Sequence, residues 1–227
     1  MTVLAVVGTD TGVGKTTVTA GLARALLSRG RQPAVFKPVE TGVLESSHTD
    51  ARTLALASGQ QESETLGVAY PLPAAPLAAA REAGETVPLD RLELLLERLK
   101  ADFDPVLLEG AGGLLVPFAD NILWADLLSR WRAAAVVVGR LGLGSINHTL
   151  LTLSELRRRG ITPWGVVLCS LEPSGPESHL TPGLIEEFGD IDIIVTVAHG
   201  VSDPRAIEAR LTETRLLERI TSRCRSG

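Results

Sequence analysis

Six short apolar runs punctuate the chain: Val3–Val7, Ala34–Phe36, Pro105–Leu108, Ala133–Val138, Trp164–Leu168 and Ile191–Val197. Each is continuous rather than alternating in polarity, the pattern of a strand buried on both faces. Helical spacing fills the intervals. Thr16–Arg29 sets Leu22, Ala25 and Leu26 on one face and stops at Gly30, a residue suited to the position just past a helix end. Leu89–Leu99 repeats Leu89, Leu92, Leu96 and Leu99 down one side. Ser145–Arg159 opens on a good N-cap residue and carries Ile146, Leu150 and Leu153 on a stripe. It ends in three arginines, which suit the negative end of a helix dipole. Strands alternating with helices predict βαβ crossovers, hence an α/β fold with a mostly parallel sheet flanked by helices on both faces. No repeat or linker interrupts the pattern, so residues 1–227 are expected to form a single domain. Tyr70–Leu77, with Pro71, Pro73 and Pro76, reads as a structured loop. In sheets of this kind ligands sit at the carboxyl ends of the strands.

Composition narrows the partners. The 22 basic residues against 27 acidic ones give a net charge of −5, which offers no surplus for neutralising nucleic-acid phosphates. The two cysteines, Cys169 and Cys224, have no metal-ligand spacing and are too few for a disulfide framework. The N-terminal run is too short for a signal peptide and lacks a basic start, and no window approaches a membrane span. The expectation is a reduced, cytoplasmic protein that binds neither nucleic acid nor membrane. Among the cations only Lys15, Lys37 and Lys100 are lysines. Arginine replaces lysine wherever either cation serves, but not where a compact, mobile point charge must sit among phosphate oxygens.

The first strand runs into Gly8-Thr9-Asp10-Thr11-Gly12-Val13-Gly14-Lys15-Thr16-Thr17, and a helix follows. Glycines let successive backbone N–H groups turn inward around an anion, and the helix N-terminus adds its positive end. Lys15 can reach β- and γ-phosphates, and the Thr16 hydroxyl can hold Mg²⁺. The strict pattern places its first glycine at position 9; here it comes one residue early.

Lys37 stands before Pro38, whose ring pushes it to extended geometry, so Lys37 is expected to finish a strand and Pro38–Gly42 to turn. There it either faces the transferred phosphate or snorkels at the surface. Glu109 ends another apolar run and leads into Gly110-Ala111-Gly112-Gly113, like the acidic strand end that holds Mg²⁺ beside phosphate loops. Asp50 opens a helix, where capping alone accounts for it. His48, His148, His179 and His199 are scattered and form no catalytic pair, and the three tryptophans and one tyrosine suggest no platform for stacking bases.

Taken together, Gly8-to-Thr16, Lys37-Pro-Val-Glu-Thr-Gly, Asp50, Glu109-Gly-Ala-Gly-Gly and Gly144-Ser-Ile-Asn-His-Thr resemble the dethiobiotin synthetase family over residues 1 to about 168. The resemblance implies a phosphate-loop nucleoside triphosphatase fold and a homodimeric, ATP- and Mg²⁺-dependent ligase of biotin synthesis. Such an enzyme closes a cyclic urea on 7,8-diaminopelargonate with CO₂. It further implies Lys15 and Lys37 as catalytic groups, and Thr16, Asp50 and Glu109 as Mg²⁺ ligands. Gly12, Val13, Gly14, Thr17, Gly110, Ala111, Gly112, Cys169 and Ser170 fall at the nucleotide. Thr41 and Glu109 to Gly112 fall at the diamine. Gly144, Ser145, Ile146 and Asn147 would meet the substrate carboxylate across the dimer, at a helix N-terminus capped by Ser145.

One position departs from the family. Cys169 stands where many members carry an asparagine that reads the adenine edge. The later segment near the base is also altered, to Val197-Ala198-His199-Gly200. Weakened adenine selection, with CTP or other triphosphates accepted, is the expectation. Two other readings share the loop: an amidating ligase of cobalamin synthesis, and a nucleotide-switch ATPase resembling partitioning and septum-positioning proteins. The latter carry a signature lysine where this chain has Asp10.

Overall fold

In a computed structural model describing residues 1–43, 49–170, 173 and 175–224, the strands are nine. They are β1 (Val3–Gly8), β2 (Ala34–Thr41), β3 (Leu66–Tyr70), β4 (Val106–Gly113), β5 (Pro117–Ala119), β6 (Ile122–Leu123), β7 (Ala134–Arg140), β8 (Pro163–Cys169) and β9 (Ile194–Val197). Seven make one parallel sheet in the order β3-β2-β4-β1-β7-β8-β9, and β5 and β6 pair separately. The helices are α1 (Lys15–Ser28), α2 (Asp50–Ser58), α3 (Glu62–Thr65), α4 (Pro76–Glu82), α5 (Leu89–Asp102), α6 (Trp124–Arg130), α7 (Ser145–Arg158), α8 (Thr181–Gly189), α9 (Pro204–Thr212) and α10 (Arg215–Thr221). None among the described residues is long and apolar enough to cross a membrane.

The continuous apolar runs follow from the layering. Val3, Ala5 and Val7 of β1 point into a core shared with Leu92 and Leu96 of α5, Leu127 of α6 and Leu153 of α7. Leu4 and Val6 point the other way, against Leu22 and Leu26 of α1, Leu54 of α2, Ile207 of α9 and Leu217 of α10. Successive side chains alternate between faces, and both faces are buried. Each fully buried leucine contributes roughly 1.5–3 kcal/mol. β1 lies at the centre, where the order of connection reverses, so the loop after it opens at the switch point of the sheet.

Several boundaries differ from expectation. β2 does not end at Lys37 but runs through Pro38 to Thr41. It pairs with β4 only over Ala34 to Phe36 and with β3 from Lys37 onward, so Pro38 falls where one neighbour has been exchanged for the other. β4 likewise carries Glu109 in its interior and continues through the glycines to pair Gly113 with Gly8. The last expected strand, Ile191–Val197, is shorter, at Ile194–Val197. Tyr70–Leu77 is a loop only between the end of β3 at Tyr70 and the start of α4 at Pro76. Neither of those two short elements was expected. In α7 the buried face runs through Ser145, Thr149, Thr152, Leu153 and Leu156, so Ile146 and Leu150 lie at its margin. Its cap is Gly144 in the left-handed region; Ser145 is the first helical residue and donates to the Gly142 carbonyl at 2.6 Å. His48 lies outside the described residues.

Candidate functional site

The loop after β1 and the start of α1 form the floor of the site. Gly12 and Gly14 adopt φ of 72° and 99°, a region that favours glycine. Lys15 is buried and folds back under the loop, donating from Nζ to the Asp10 carbonyl at 3.0 Å. The early glycine is explained by this path. A Cβ on residue 8 would lie 2.8 Å from Lys15 Nζ and 2.6 Å from the Asp10 oxygen, so only glycine lets the lysine cross there. Burial pushes the Lys15 pKa below its ordinary value, against the pull of Glu109.

Four elements bring their polar groups to the mouth of this loop. Lys37 of β2 donates from Nζ to Glu109 Oε1 of β4 at 2.8 Å and to Asp50 Oδ2 at the start of α2 at 2.6 Å. Thr16 Oγ1 of α1 donates to the same Glu109 oxygen at 2.8 Å. Lys37 is 3% exposed and Glu109 0%, so the surface alternative for Lys37 is set aside. Burial works to lower the Lys37 pKa, but Glu109 and Asp50 outweigh it and hold the ammonium above its ordinary value. Glu109 Oε2 is buried without a hydrogen-bond partner. Asp50 is not the cap of α2. Thr49 is, accepting from Arg52 N, and the Asp50 side chain turns to Lys37 instead.

A cavity of about 330 Å³ lies against Lys15, Thr16, Lys37 and Asp50, with the fully buried Glu109 behind its lining. Its lining includes Gly12, Gly14, Lys15, Thr16, Thr17, Lys37, Thr41, Asp50, Gly110, Ala111 and Gly112, all expected from the sequence. Thr11 and Glu40 line it too and were not singled out. Glu40 is buried, and its carboxylate accepts from the Asp50 and Ala51 backbone N–H groups at 2.6 and 3.0 Å. Its sequence signal is its place in the Lys37-Pro-Val-Glu-Thr-Gly segment, three residues after Lys37. A second cavity of about 320 Å³ shares Thr11, Thr41, Ala111 and Gly112 with the first and is walled by Pro73 to Pro76 and Val116. Gly110 rests against the buried Trp124 indole, which stacks on Phe118 at 5.3 Å.

Other expected residues stand off the cavity. The Val13 side chain belongs to the core. Ser170 is buried, its N–H bonded to the Val197 carbonyl at 2.9 Å. Gly144, Ser145, Ile146 and Asn147 open α7 and line neither cavity, next to Leu143, which is 94% exposed. Cys169 packs behind the phosphate loop: a Cβ on Gly14 would lie 3.2 Å from its Sγ.

Burial pushes the thiols of Cys169 and Cys224 each up to about 11. At pH 8, three units below, on the order of one thiol in a thousand is ionised, and the thiolate is the reactive form. A disulfide reagent should therefore titrate neither thiol within minutes in the native protein at pH 8 and both in guanidinium. The native rate should rise about tenfold per pH unit. A fast thiol at pH 8 that disappears in Cys169→Ser would show Cys169 to be ionised and accessible.

Among the described residues no three His, Cys, Asp or Glu side chains gather as a metal centre. A family model described as an AAA domain matches residues 2–200. The ATP-dependent dethiobiotin synthetase of Aquifex aeolicus is 39% identical, over 83% of this chain and 85% of its own length. That of Haloferax mediterranei is 35% identical, over 96% and 93%. Among solved structures, a MinC:MinD cell division complex of Aquifex aeolicus superposes with a TM-score of 0.59 at 13% identity, covering 100% of this chain and 98% of that one. Identity so low shows a shared fold only.

Proposed function

We propose, since the chain belongs to the dethiobiotin synthetase family, that it uses a nucleoside triphosphate to close a cyclic urea on 7,8-diaminopelargonate. Membership makes it a ligase of biotin synthesis. The observation that carries the finer reading is the meeting of Lys37, Glu109, Asp50 and Thr16 within hydrogen-bond distance at the mouth of a phosphate loop.

One amine of the diamine adds to CO₂, supplied as bicarbonate, and gives up a proton to solvent to form a carbamate. The carbamate oxygen attacks the γ-phosphorus, and the bridging oxygen leaves with the nucleoside diphosphate. The second amine then attacks the carbonyl carbon of the mixed anhydride, gives up its proton, expels phosphate and closes the ring. No enzyme nucleophile is required, so the protein acts by positioning and charge stabilisation. Lys15, from below the loop, and Lys37, from β2, flank the transferred phosphoryl group, and Lys37 also holds the carbamate. Thr41 and the Glu109–Gly112 backbone receive the diamine, and the apolar wall of Pro73 to Pro76 suits its hydrocarbon chain. Gly12 to Thr17 bind the phosphates.

Thr16, Asp50 and Glu109 fit Mg²⁺. All are oxygen donors, and a small hard ion that keeps waters and phosphate oxygens needs only a few protein ligands. The buried Glu109 Oε2, without a hydrogen-bond partner, is a further oxygen donor. When bound, Mg²⁺ neutralises charge on the β- and γ-oxygens. The substrate carboxylate meets the Gly144–Asn147 backbone of a second copy, in a homodimer of chains that each act as one domain over residues 1–227. Leu143, exposed beside that segment, is the kind of side chain such an interface would cover.

Cys169 supports relaxed base selection. A small, protonated thiol packed behind Gly14 cannot give the paired donor and acceptor by which an amide reads adenine. Phosphate release, measured with the diamine, bicarbonate and Mg²⁺ against a panel of triphosphates, tests both claims. Diamine-dependent release is expected, with kcat/KM for ATP and CTP within about tenfold, because the paired contact that would add about 1–3 kcal/mol of discrimination is missing. Release that ignores the diamine would break the functional reading. A strong ATP preference would break the nucleotide reading alone.

A further inference from the structure

We propose that Glu40 is a positioning residue that sets Asp50 against Lys37, an inference that rests on the site reading above. The first turn of a helix leaves its backbone N–H groups without partners inside the helix. In α2 the local cap, Thr49, serves Arg52 N through its side chain and Thr53 N through its carbonyl. The two remaining groups, on Asp50 and Ala51, are served from β2 by the two oxygens of Glu40. A carboxylate at the positive end of a helix is favourable in itself, and two charge-assisted bonds fix both distance and rotation.

Asp50 is thereby gripped twice by one strand. Lys37 binds its side chain and Glu40 its backbone. The strand is rigid at both points, because Lys37 pairs with Leu66 and Glu40 with Ala69 of β3. The Asp50 side chain itself is 47% exposed, with one hydrogen bond to Lys37 among those it makes within the site. Without Glu40 nothing in β2 would hold the Asp50 backbone, and Lys37 would keep Glu109 as its one fixed partner. Glu40 also lines the cavity, so the competing role is direct contact with substrate.

A double-mutant cycle separates the two. Glu40→Ala, Asp50→Ala and the double variant are measured for kcat and for binding of a β,γ-imido ATP analogue with Mg²⁺ by calorimetry. Glu40→Gln stands in if the alanine variant fails to melt cooperatively. If Glu40 acts through Asp50, each single change lowers at least one readout by about tenfold, and the double variant is no worse than Asp50→Ala by more than about twofold. Glu40→Gln, which keeps one acceptor, should recover part of the loss. Losses that multiply, a Glu40→Ala protein matching wild type, or an Asp50→Ala protein matching wild type would each overturn the proposal. Wild-type protein without diamine-dependent phosphate release would break the functional reading instead, and the analogue-binding cycle would still decide Glu40.

Discussion

Replacing Lys37 by glutamine is expected to slow phosphate release by about 10²–10³-fold while changing nucleotide affinity only a few-fold. The asymmetry follows from geometry. In the proposed reading the nucleotide phosphates would be cradled by the backbone of Gly12 to Thr17 and by Lys15, none of which is hydrogen-bonded to Lys37. Lys37 stands between the carboxylates of Glu109 and Asp50, and in the proposed reading it would meet charge that develops only as the phosphoryl group moves. Glutamine can still donate a hydrogen bond but brings no positive charge. The change leaves the fully buried Glu109 without its cation, so unfolding should also become easier by about 3 kcal/mol, the low end for breaking a buried pair. Phosphate release and analogue binding, measured on protein shown by melting to be folded, check the split. Turnover within a few-fold of wild type would remove Lys37 from the reaction.

The second large effect concerns Glu109→Gln. The half-saturating Mg²⁺ concentration for turnover should rise about 10–100-fold. Glu109 is the hub of the cluster: its Oε1 accepts from both Thr16 and Lys37, and its Oε2 has no partner. An amide keeps the shape but loses the charge and turns one acceptor into a donor. That donor would face either the Lys37 ammonium or the space where a cation belongs. A Mg²⁺ titration at saturating nucleotide reads the shift directly. An unchanged Mg²⁺ dependence would leave Glu109 as a partner of Lys37 and nothing more.

The contrast between Lys15 and Glu40 shows which parts of the site could be read from the chain. The phosphate loop is local: strand, glycines, lysine, threonine and helix are consecutive, so their order is their geometry. Even its one irregularity, a glycine at position 8, has a local cause in the path of the Lys15 side chain. Lys37 and Glu109 were visible as strand residues, but their burial and mutual contact depend on β2 lying beside β4, which is tertiary. Glu40 stood in the sequence only as part of the Lys37-Pro-Val-Glu-Thr-Gly segment; its capping of a helix that begins ten residues later has no signal in its own neighbourhood. Thr49 and Asp50 are both capping types, so sequence alone could not say which would cap and which would turn away. Strand ends failed for a related reason. Proline and glycine usually mark turns, yet Pro38 remains in a strand because β2 exchanges β4 for β3 there, and the run from Gly110 because β4 keeps β1 as its partner as far as Gly113. β3 and α4, of five and seven residues, are held by pairing with β2 and by packing on β5 and β2, and lie next to a proline-rich stretch that masked them.

The Lys37 cluster also determines what the site is before any ligand arrives. Lys15 and Lys37 bring two positive charges, Glu109 and Asp50 two negative ones, and Glu40 spends its charge on a helix terminus. The resting pocket is therefore its own counter-ion. A lone anion such as phosphate or sulfate would find the Lys37 ammonium already answered by two carboxylates and would have to displace one to gain it, whereas Lys15 holds only the Asp10 carbonyl. A triphosphate that comes with its own cation faces no such deficit: metal for the carboxylates, phosphate for the lysines, every pair exchanged at once. At Lys37, therefore, balance of charge would favour a metal–nucleotide pair over a lone phosphate.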